Sequence, residues 1–373
     1  MRVLQIASSF AINRLYSHLF KEIENHGIRQ VVYSAVRTAN EASFQSELIN
    51  PTNVHLRHIL GTTDRLLFRR KIKRITRDLQ SQLSIQRYDL IHAHTLYSDG
   101  AVAYTLHRDT SIPYIISVRK TDLYYFQRFR PDLRVIRNAI LLGSSAIIVL
   151  TPTARSKLLE IVGARIRPKI KNRIEVVPNG LTDQWFNNSA PISIPANTIR
   201  LLFVGTFDKC KNIMRILNAV EKLSKDHAVR LTLVGGGGEH HNNAISSVES
   251  NPSIQFLGRI NDDDQLRRVY QQHDVLVMPS FPETFGLVYI EAMSQGLPVV
   301  HAAGEGIDGY FGPNGVAEAV DHRSVSNIAN GILRVYERRD SVREECIRQA
   351  AQFTWKEVAA THARLYGKVE SGL

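Results

Sequence analysis

The chain has 373 residues, 47 Lys and Arg against 35 Asp and Glu, and a hydrophobic content of 43%. That length exceeds one ordinary core and predicts two domains of roughly 150 to 200 residues each. Two cysteines, Cys210 and Cys346, exclude a disulfide framework and suggest a reducing compartment. Met1 to Ala7 reads as a strand rather than a signal peptide, and no run of about 18 apolar residues is present, so a soluble or peripheral protein is expected. Residues 1–200 carry 29 Lys and Arg against 14 Asp and Glu, whereas residues 201–373 carry 18 against 21. The first half is therefore expected to face something anionic, with a membrane surface, nucleic acid or an acidic acceptor as candidates.

In residues 1–185 short apolar runs alternate with helical patterns, which predicts βαβ units on a parallel sheet. The predicted strands are Val3–Ser8, Gln30–Tyr33, Asn53–Arg57, Leu90–His94, Tyr114–Val118, Ala146–Leu150 and Ile174–Val177. The first βα turn, Ala7 to Asn13, contains no glycine. In the stretch Asp64 to Leu79, Phe68, Ile72, Ile75, Leu79 and the following Leu83 fall on one helical stripe. Seven basic residues take the rest, Arg69, Arg70, Lys73 and Arg74 among them. Three readings are open. The segment is a core-facing helix with a solvated basic side, or a membrane-surface helix gaining about 1 kcal/mol per basic residue near anionic lipid. The third is a nucleic-acid surface, for which no reading motif is present.

Ile91 to Gly100 closes a strand and opens a helix at the carboxyl edge of the sheet, where ligands bind in open α/β folds, and it presents His94 there. Ser117 to Asp122 repeats that edge with Arg119 and Asp122, and an arginine suits a phosphate-bearing or carboxylated ligand. Tyr124, Tyr125, Phe126 and Phe129 interleave with Arg128, Arg130, Arg134 and Arg137, a pattern that suits sugar stacking, a lipid headgroup surface or base stacking. Pro178-Asn179-Gly180 is a turn, and residues 186–198, with their Asn, Ser and Pro, read as a linker.

The second half repeats the alternation. Ile199–Val204 is a predicted strand, followed by a loop from Gly205 to Asn212 that holds Thr206, Lys209 and Lys211, and then a helix to about Lys225. Leu231 to Val234 runs into four glycines without a Walker lysine, which weakens a nucleoside-triphosphatase reading. His240 and His241 lack partners at metal spacing and read as surface residues. Gly258, Arg259 and Ile260 end the next strand. Asn261 to Asp264 superficially resembles a metal site, but reads better as an N-cap with acids favourable to the helix dipole. After the strand Val275–Met278, two prolines delay helix until Glu283, and a helix is expected from about Thr284 to the stop at Gly296. The N–H groups of Thr284, Phe285, Gly286 and Leu287 should be free at its N-terminus, forming an anion site. Glu283 sits at its mouth and Glu291 eight residues on, roughly 12 Å away at ~1.5 Å per helical residue. A carboxylate on so hydrophobic a helix needs a partner, and sugar hydroxyls are one.

Glu283 and Glu291, in this setting, resemble the Glu-x7-Glu signature of the family-4 (group 1) glycosyltransferases, retaining enzymes of GT-B architecture. The resemblance covers nearly the whole chain and is most specific from Val204 to Gly309. It implies an α/β, GT-B fold: two Rossmann-like domains with a deep interdomain cleft. Residues 1–186 would bind acceptor, residues 199–354 would bind the nucleotide-sugar donor, and a helix at about 355–373 would pack back on the first domain. The loop from Gly205 is similar to the family's donor-phosphate loop. Lys211 matches its lysine, Thr206 stands where an arginine is usual, and Lys209 is the candidate replacement. Donor phosphates would lie between Lys211 and the amides of Thr284, Phe285, Gly286 and Leu287, the ribose on Glu291, and the base on the strand end at Gly258, Arg259 and Ile260. Glu283 would hold the sugar, and with Lys211 it carries the catalytic role. His94 lies in a segment similar to the family's His-Ala-His, and with Arg119, where a histidine is usual, and Asp122 it marks the acceptor side.

The function so implied is retaining transfer of a hexose-type sugar from a UDP- or GDP-linked donor to a hydroxyl of a glycan or lipid-linked saccharide, in cell-surface polysaccharide synthesis. No metal or other cofactor is expected, since Lys211 and the helix dipole would stabilise the leaving phosphate. The expected location is the cytoplasmic face of an anionic membrane, held peripherally, with no nucleic-acid partner. Two alternatives differ in class. A GT-B nucleotide-sugar epimerase would need water-activating carboxylates, and a nonenzymatic basic membrane- or nucleic-acid-binding protein leaves Glu283 and Glu291 unexplained.

Overall fold

The computed structural model describes residues 1–12, 15–38, 53–187, 198–312 and 315–372; Asn13 and residues 188–197 of the expected linker lie outside the described residues. The chain divides into one unit of Met1–Leu150, Ala154–Gly180 and Trp355–Leu373, and a second of Thr151–Thr153 and Leu181–Thr354. The sequence places residues 181–186 with the first domain, but they belong to the second unit. Leu181 donates its N–H to the Phe353 carbonyl at 2.7 Å, and Trp185 packs edge-on against Tyr270.

The first unit is built on seven strands: β1 (Arg2–Ile6), β2 (Arg29–Val36), β3 (Val54–His58), β4 (Leu90–Ala93), β5 (Tyr114–Ser117), β6 (Ala146–Val149) and β7 (Ile174–Val176). They lie in the order β3-β2-β1-β4-β5-β6-β7, and each neighbouring pair is parallel. Ala146–Val149 is a continuous apolar run, and Leu90–Ala93 is apolar but for His92, because helices cover both faces and bury every residue. α1 (Leu15–Asn25) covers one face. α2 (Phe68–Gln82), α3 (Ser98–Thr110) and α4 (Arg134–Gly143) cover the other. α2 buries Phe68, Ile72, Ile75 and Leu79, the stripe read from spacing, but it also buries Lys71, whose Nζ donates to Ser98 Oγ at 2.6 Å.

In the second unit the strands are β8 (Ile199–Gly205), β9 (Val229–Gly235), β10 (Ile254–Gly258), β11 (Val275–Met278), β12 (Val299–Ala302) and β13 (Ala317–Val320). Their order is β10-β9-β8-β11-β12-β13, again all parallel. The helices that matter below are α5 (Ile213–Leu223), α6 (His241–Ser250), α7 (Asp263–Gln271), α8 (Leu287–Ser294) and α9 (Val325–Ala350). The last helix, α10 (Trp355–Glu370), belongs to the first unit, where Trp355 stacks on His18 and the Tyr366 hydroxyl reaches His92 Nδ1 at 2.6 Å.

In both sheets the strand order reverses beside the first strand of the unit, between β1 and β4 and between β8 and β11, and such a switch point opens a crevice at the carboxyl edge. The β8–β11 seam is fixed at its other end by charge. Asp274, 3% exposed, accepts from the backbone N–H of Arg200 at 2.8 Å and from its guanidinium at 2.6 and 3.0 Å. Replacing Asp274 with Ala strands the Arg200 cation, and a broken buried pair costs about 3–5 kcal/mol. Denaturant titration of Asp274→Ala should show a loss of that size; a loss below 1 kcal/mol would show the pair to be dispensable.

Candidate active site

The second unit gathers the predicted donor residues at the carboxyl edge of its sheet. Two strand ends approach closely there: a Cβ on Gly235, whose φ is +121, would lie 1.9 Å from the Gly205 carbonyl oxygen. Only glycine fits. Beyond that point the two loops bond to each other, Phe207 N–H to the Gly237 carbonyl at 3.1 Å and His240 N–H to the Phe207 carbonyl at 2.9 Å. His241 is half-buried rather than a free surface residue. Its ring stacks on Phe207 and its Nδ1 accepts the Gly237 N–H at 3.2 Å, so it pins the glycine turn.

The β8 loop makes one 3-10 turn, Lys209–Lys211, and passes through Asn212 in the left-handed region to enter α5. Asn212 anchors that corner by donating its amide to the carbonyls of His322 at 2.7 Å and Pro279 at 3.2 Å. Lys211 is thereby aimed at the β11 loop, where its Nζ meets Glu283 Oε2 at 2.6 Å. Lys209 is exposed on the same turn, and Thr206 is exposed with its hydroxyl donated to Asp208 at 2.5 Å.

Glu283 itself is 9% exposed and doubly tethered. Its N–H donates to Glu305 Oε2 at 2.9 Å, and its carbonyl accepts the Gly306 N–H at 3.1 Å. Glu305 was not singled out by sequence; the only signal was its place between two glycines in the β12 loop. The helix behind Glu283 starts later than expected. Gly286 is the N-cap of α8 at φ +81, where a Cβ would meet the Tyr289 ring at 2.4 Å, so Thr284, Phe285 and Gly286 are loop. The Thr284 amide is not free either, because it donates to Glu283 Oε1 at 3.0 Å. Among the described residues the N–H groups of Phe285, Gly286, Leu287 and Val288 have no backbone acceptor, so the expected donors stay open apart from Thr284, and Val288 joins them. The roughly 12 Å spacing of the two carboxylates assumed helix across residues 283 to 286 and does not carry over.

Glu291 lies half-buried on α8, and its Oε2 accepts the hydroxyl of Tyr270, a residue of α7 read from sequence only as part of that helix pattern. Desolvation pushes the Glu291 carboxyl up to about 7, against the Tyr270 hydrogen bond, which lowers it. The third part of the expected site, the end of β10, has Gly258 at φ +69, Arg259 exposed and Ile260 half-buried. Among the described residues neither the Arg259 nor the Ile260 N–H has a backbone acceptor. Asp262 caps α7 by accepting the Gln265 N–H at 2.6 Å, the capping role expected of that acidic run. No group of three or more His, Cys, Asp or Glu able to hold a metal occurs among the described residues.

In the first unit the expected acceptor-side residues are spent differently. His94 is fully buried, its Nε2 on Gln5 Oε1 at 2.8 Å and its ring walled by Tyr16, Phe20 and His92. Burial holds its pKa well below the usual value, so it is a neutral core histidine rather than a surface ligand. Asp122 is also fully buried; it accepts the N–H groups of Arg119, Leu96 and Tyr97 at 2.8, 3.1 and 3.4 Å and ties two loops together. Desolvation raises its carboxyl, and that of Asp99 beside it, to about 6. Arg119 alone of the three is half-buried, its Nε donating to the His94 carbonyl at 3.3 Å and its guanidinium 5.6 Å over the Tyr16 ring.

Comparison with known proteins gives this arrangement a class. Residues 12–185 match the family described as Glycosyltransferase Family 4, and residues 186–353 match that described as Glycosyl transferases group 1. A D-inositol 3-phosphate glycosyltransferase of Streptosporangium roseum is 26% identical over 316 residues, 77% of this chain and 71% of that protein. An uncharacterized glycosyltransferase of Methanocaldococcus jannaschii is 25% identical over 231 residues, and the match spans 58% of each. Among solved structures, sucrose-phosphate synthase from Thermosynechococcus elongatus (19% identity, TM-score 0.77) and Anabaena HepE in complex with UDP (16%, 0.73) each align over 100% of both chains. The fold is GT-B. The chain belongs to the group 1 glycosyltransferases and is a transferase enzyme.

The raised Glu291 carboxyl has a signed consequence. Its folded-state pKa, about 7, exceeds the unfolded value of about 4.5, so the native state holds a proton the unfolded chain has lost, and stability falls as pH rises through that window. Glu291→Gln, which mimics the neutral acid, should be more stable than wild type at pH 8, by at most about 3 kcal/mol at ~1.4 kcal/mol per pKa unit. Melting curves of the two proteins should converge below pH 4.5; a constant offset from pH 4 to 8 would refute the raised pKa.

Proposed function

We propose that the enzyme moves a hexose-type sugar, with retention at its anomeric carbon, from a UDP- or GDP-linked donor to a hydroxyl of a glycan or lipid-linked saccharide in cell-surface polysaccharide synthesis. The observation that carries this reading is the 2.6 Å pair between Lys211 and Glu283, held at the carboxyl edge by two loops fixed independently of it. A nucleotide diphosphate that takes over the lysine frees Glu283 Oε2 while Oε1 stays on the Thr284 amide, and a hydroxyl of the attached sugar can donate to it. As the bond from the anomeric carbon to the phosphate oxygen breaks, negative charge grows on the nucleotide. Lys211 and the first-turn amides of Leu287 and Val288 are aimed to stabilise it, so no metal is required. Glu291 keeps Oε1 for ribose hydroxyls while Tyr270 holds Oε2, and the N–H groups of Arg259 and Ile260 suit a base edge. The presence of UDP in the Anabaena HepE structure favours a nucleotide diphosphate donor of that kind.

The same proposal includes peripheral attachment to the cytoplasmic face of a membrane. Among the described residues no helix is long and apolar enough to cross one. α2 exposes Arg69, Arg70 and Lys73 together, and Arg77 one turn on, whereas Arg74 is held by Asp64 at 3.1 Å and Lys71 is buried, so of the four residues expected at a membrane three stand without an ion pair among the described residues.

Incubation with a panel of UDP- and GDP-sugars, with and without glycan acceptors, should release nucleotide for one donor class; no release from any would overturn the reading. In calorimetry with the nucleotide so identified, Lys211→Ala and Glu291→Ala should each weaken binding by about 1.5–3 kcal/mol. Turnover should survive EDTA, and loss that manganese restores would contradict the metal-free mechanism. Neutralising Arg69, Arg70 and Lys73 to Gln should reduce pelleting with anionic vesicles at low salt and leave nucleotide affinity unchanged. Pelleting equal to wild type would remove the membrane from the account.

A further inference from the structure

The face formed by α2, α3 and α4 carries a groove of about 1140 Å³, lined wholly by the first unit. Small-molecule sites span about 300–1,000 Å³, so this is a large one. Its floor is apolar, with Ile72, Ala101, Leu133 and Ile136, and its rim is basic, with Arg69, Lys73, Arg77 and Arg108. Of the two acids on the rim, Asp132 is already neutralised by Arg130 at 2.8 Å, and Asp109 stands against five further cations, the four named and Arg70. At one mouth Leu66 and Val135 are 79% and 81% exposed, and Arg130 lies 5.9 Å over the Phe68 ring. The segment leading into Arg130 adds two exposed aromatics, Tyr125 and Phe129. Large apolar side chains standing in solvent beside cations are the composition of a surface at the headgroup and acyl boundary.

We propose that this groove takes one hydrocarbon chain of a phosphate-headed membrane lipid, with the headgroup on the Arg69, Lys73 and Arg108 rim. The inference rests on the membrane attachment proposed above and deepens it: charge alone brings the surface to a bilayer, while capture of a chain would hold it in one orientation. A basic rim argues for an anionic occupant. Nucleic acid would satisfy the rim but leave the apolar floor unfilled, and a second copy of the chain would set two basic rims against each other, which costs rather than stabilises. A lipid phosphate with its tail satisfies rim and floor together.

Calorimetry of the full chain with monomeric dodecyl phosphate, butyl phosphate and dodecyl maltoside, each below its micelle concentration, separates the contributions. Dodecyl phosphate should bind one to one, at least tenfold more tightly than either butyl phosphate or dodecyl maltoside. Ala139→Trp, on the half-buried wall of the groove, should erase the chain-length preference while affinity for the nucleotide identified in the donor panel stays as in wild type. If that variant fails to fold, Leu66→Ser with Val135→Ser, both in solvent, should lower dodecyl phosphate affinity severalfold. Equal affinity for the two phosphates overturns the groove. If vesicle pelleting still falls on neutralising Arg69, Arg70 and Lys73, the electrostatic attachment then stands without it. Equal affinity for dodecyl maltoside overturns the headgroup assignment, and a concentration-dependent dimer abolished by Ala139→Trp would overturn the lipid in favour of a second copy.

Discussion

One salt bridge sets the terms for the second unit: Lys211 and Glu283 neutralise each other at 2.6 Å, at the edge where β8 and β11 adjoin. Neither member of such a pair can be withdrawn cheaply, because a carboxylate 9% exposed without a counter-charge pays its full desolvation. Each side is held by a different set of bonds, Asn212 to two carbonyls for the lysine loop and Glu305 to the Glu283 backbone for the acid. The pair is thus preorganised before any ligand arrives. In the proposed reading, a phosphate that recruits Lys211 would free Glu283 Oε2 for a sugar hydroxyl, coupling the two recognitions through electroneutrality rather than through a moving part.

The first unit solves the same structural problem with carboxylates. Its first βα turn lacks glycine, and the Ser8 amide and hydroxyl that leave β1 are both taken by Asp99 at 3.3 Å. Asp122 does the same for the loops after β4 and β5. Buried acids used in this way hold three adjacent loops of the sheet edge and occupy the amides that an anion would otherwise reach. The second unit uses glycine at its corresponding edge, with the Gly205 and Gly235 strand ends in direct backbone contact, and among the described residues no buried carboxylate ties that turn.

Much of this was legible in the chain. Strand runs, the alternation that makes both sheets parallel, the apolar stripe of α2 and the cap at Asp262 all follow from local spacing and chemistry, which act over a few residues. Glu283, Glu291 and Lys211 were recognisable by type and context. What spacing could not supply were partners distant in sequence: Tyr270 for Glu291, Glu305 for Glu283, Gln5 for His94. The burial of two acceptor-side candidates has that same cause. His94 and Asp122 stand at strand ends, where ligands bind, and the packing of Tyr16, Phe20 and three loop amides turns them inward. The late start of α8 has a local cause, the positive φ of Gly286, which the two prolines upstream masked.

The distribution of charge separates two kinds of recognition. The second unit, residues 151–153 and 181–354, carries 16 basic against 20 acidic residues, so net charge does not draw a nucleotide to it. An anion must be bound there by aimed groups at short range, where a lysine and helix-terminal amides act well inside the Debye length of about 8 Å at physiological salt. The surplus of the first half is of the other kind. Arg57 with Asp78, Arg74 with Asp64 and Arg130 with Asp132 account for three of its cations, and folding makes no comparable use of Arg69, Arg70, Lys73 and Arg77, which stand exposed on one helix. Unpaired cations gathered on one surface repel one another and cost stability, so their concentration on α2, beside an apolar groove, is a property of that surface and not of the fold.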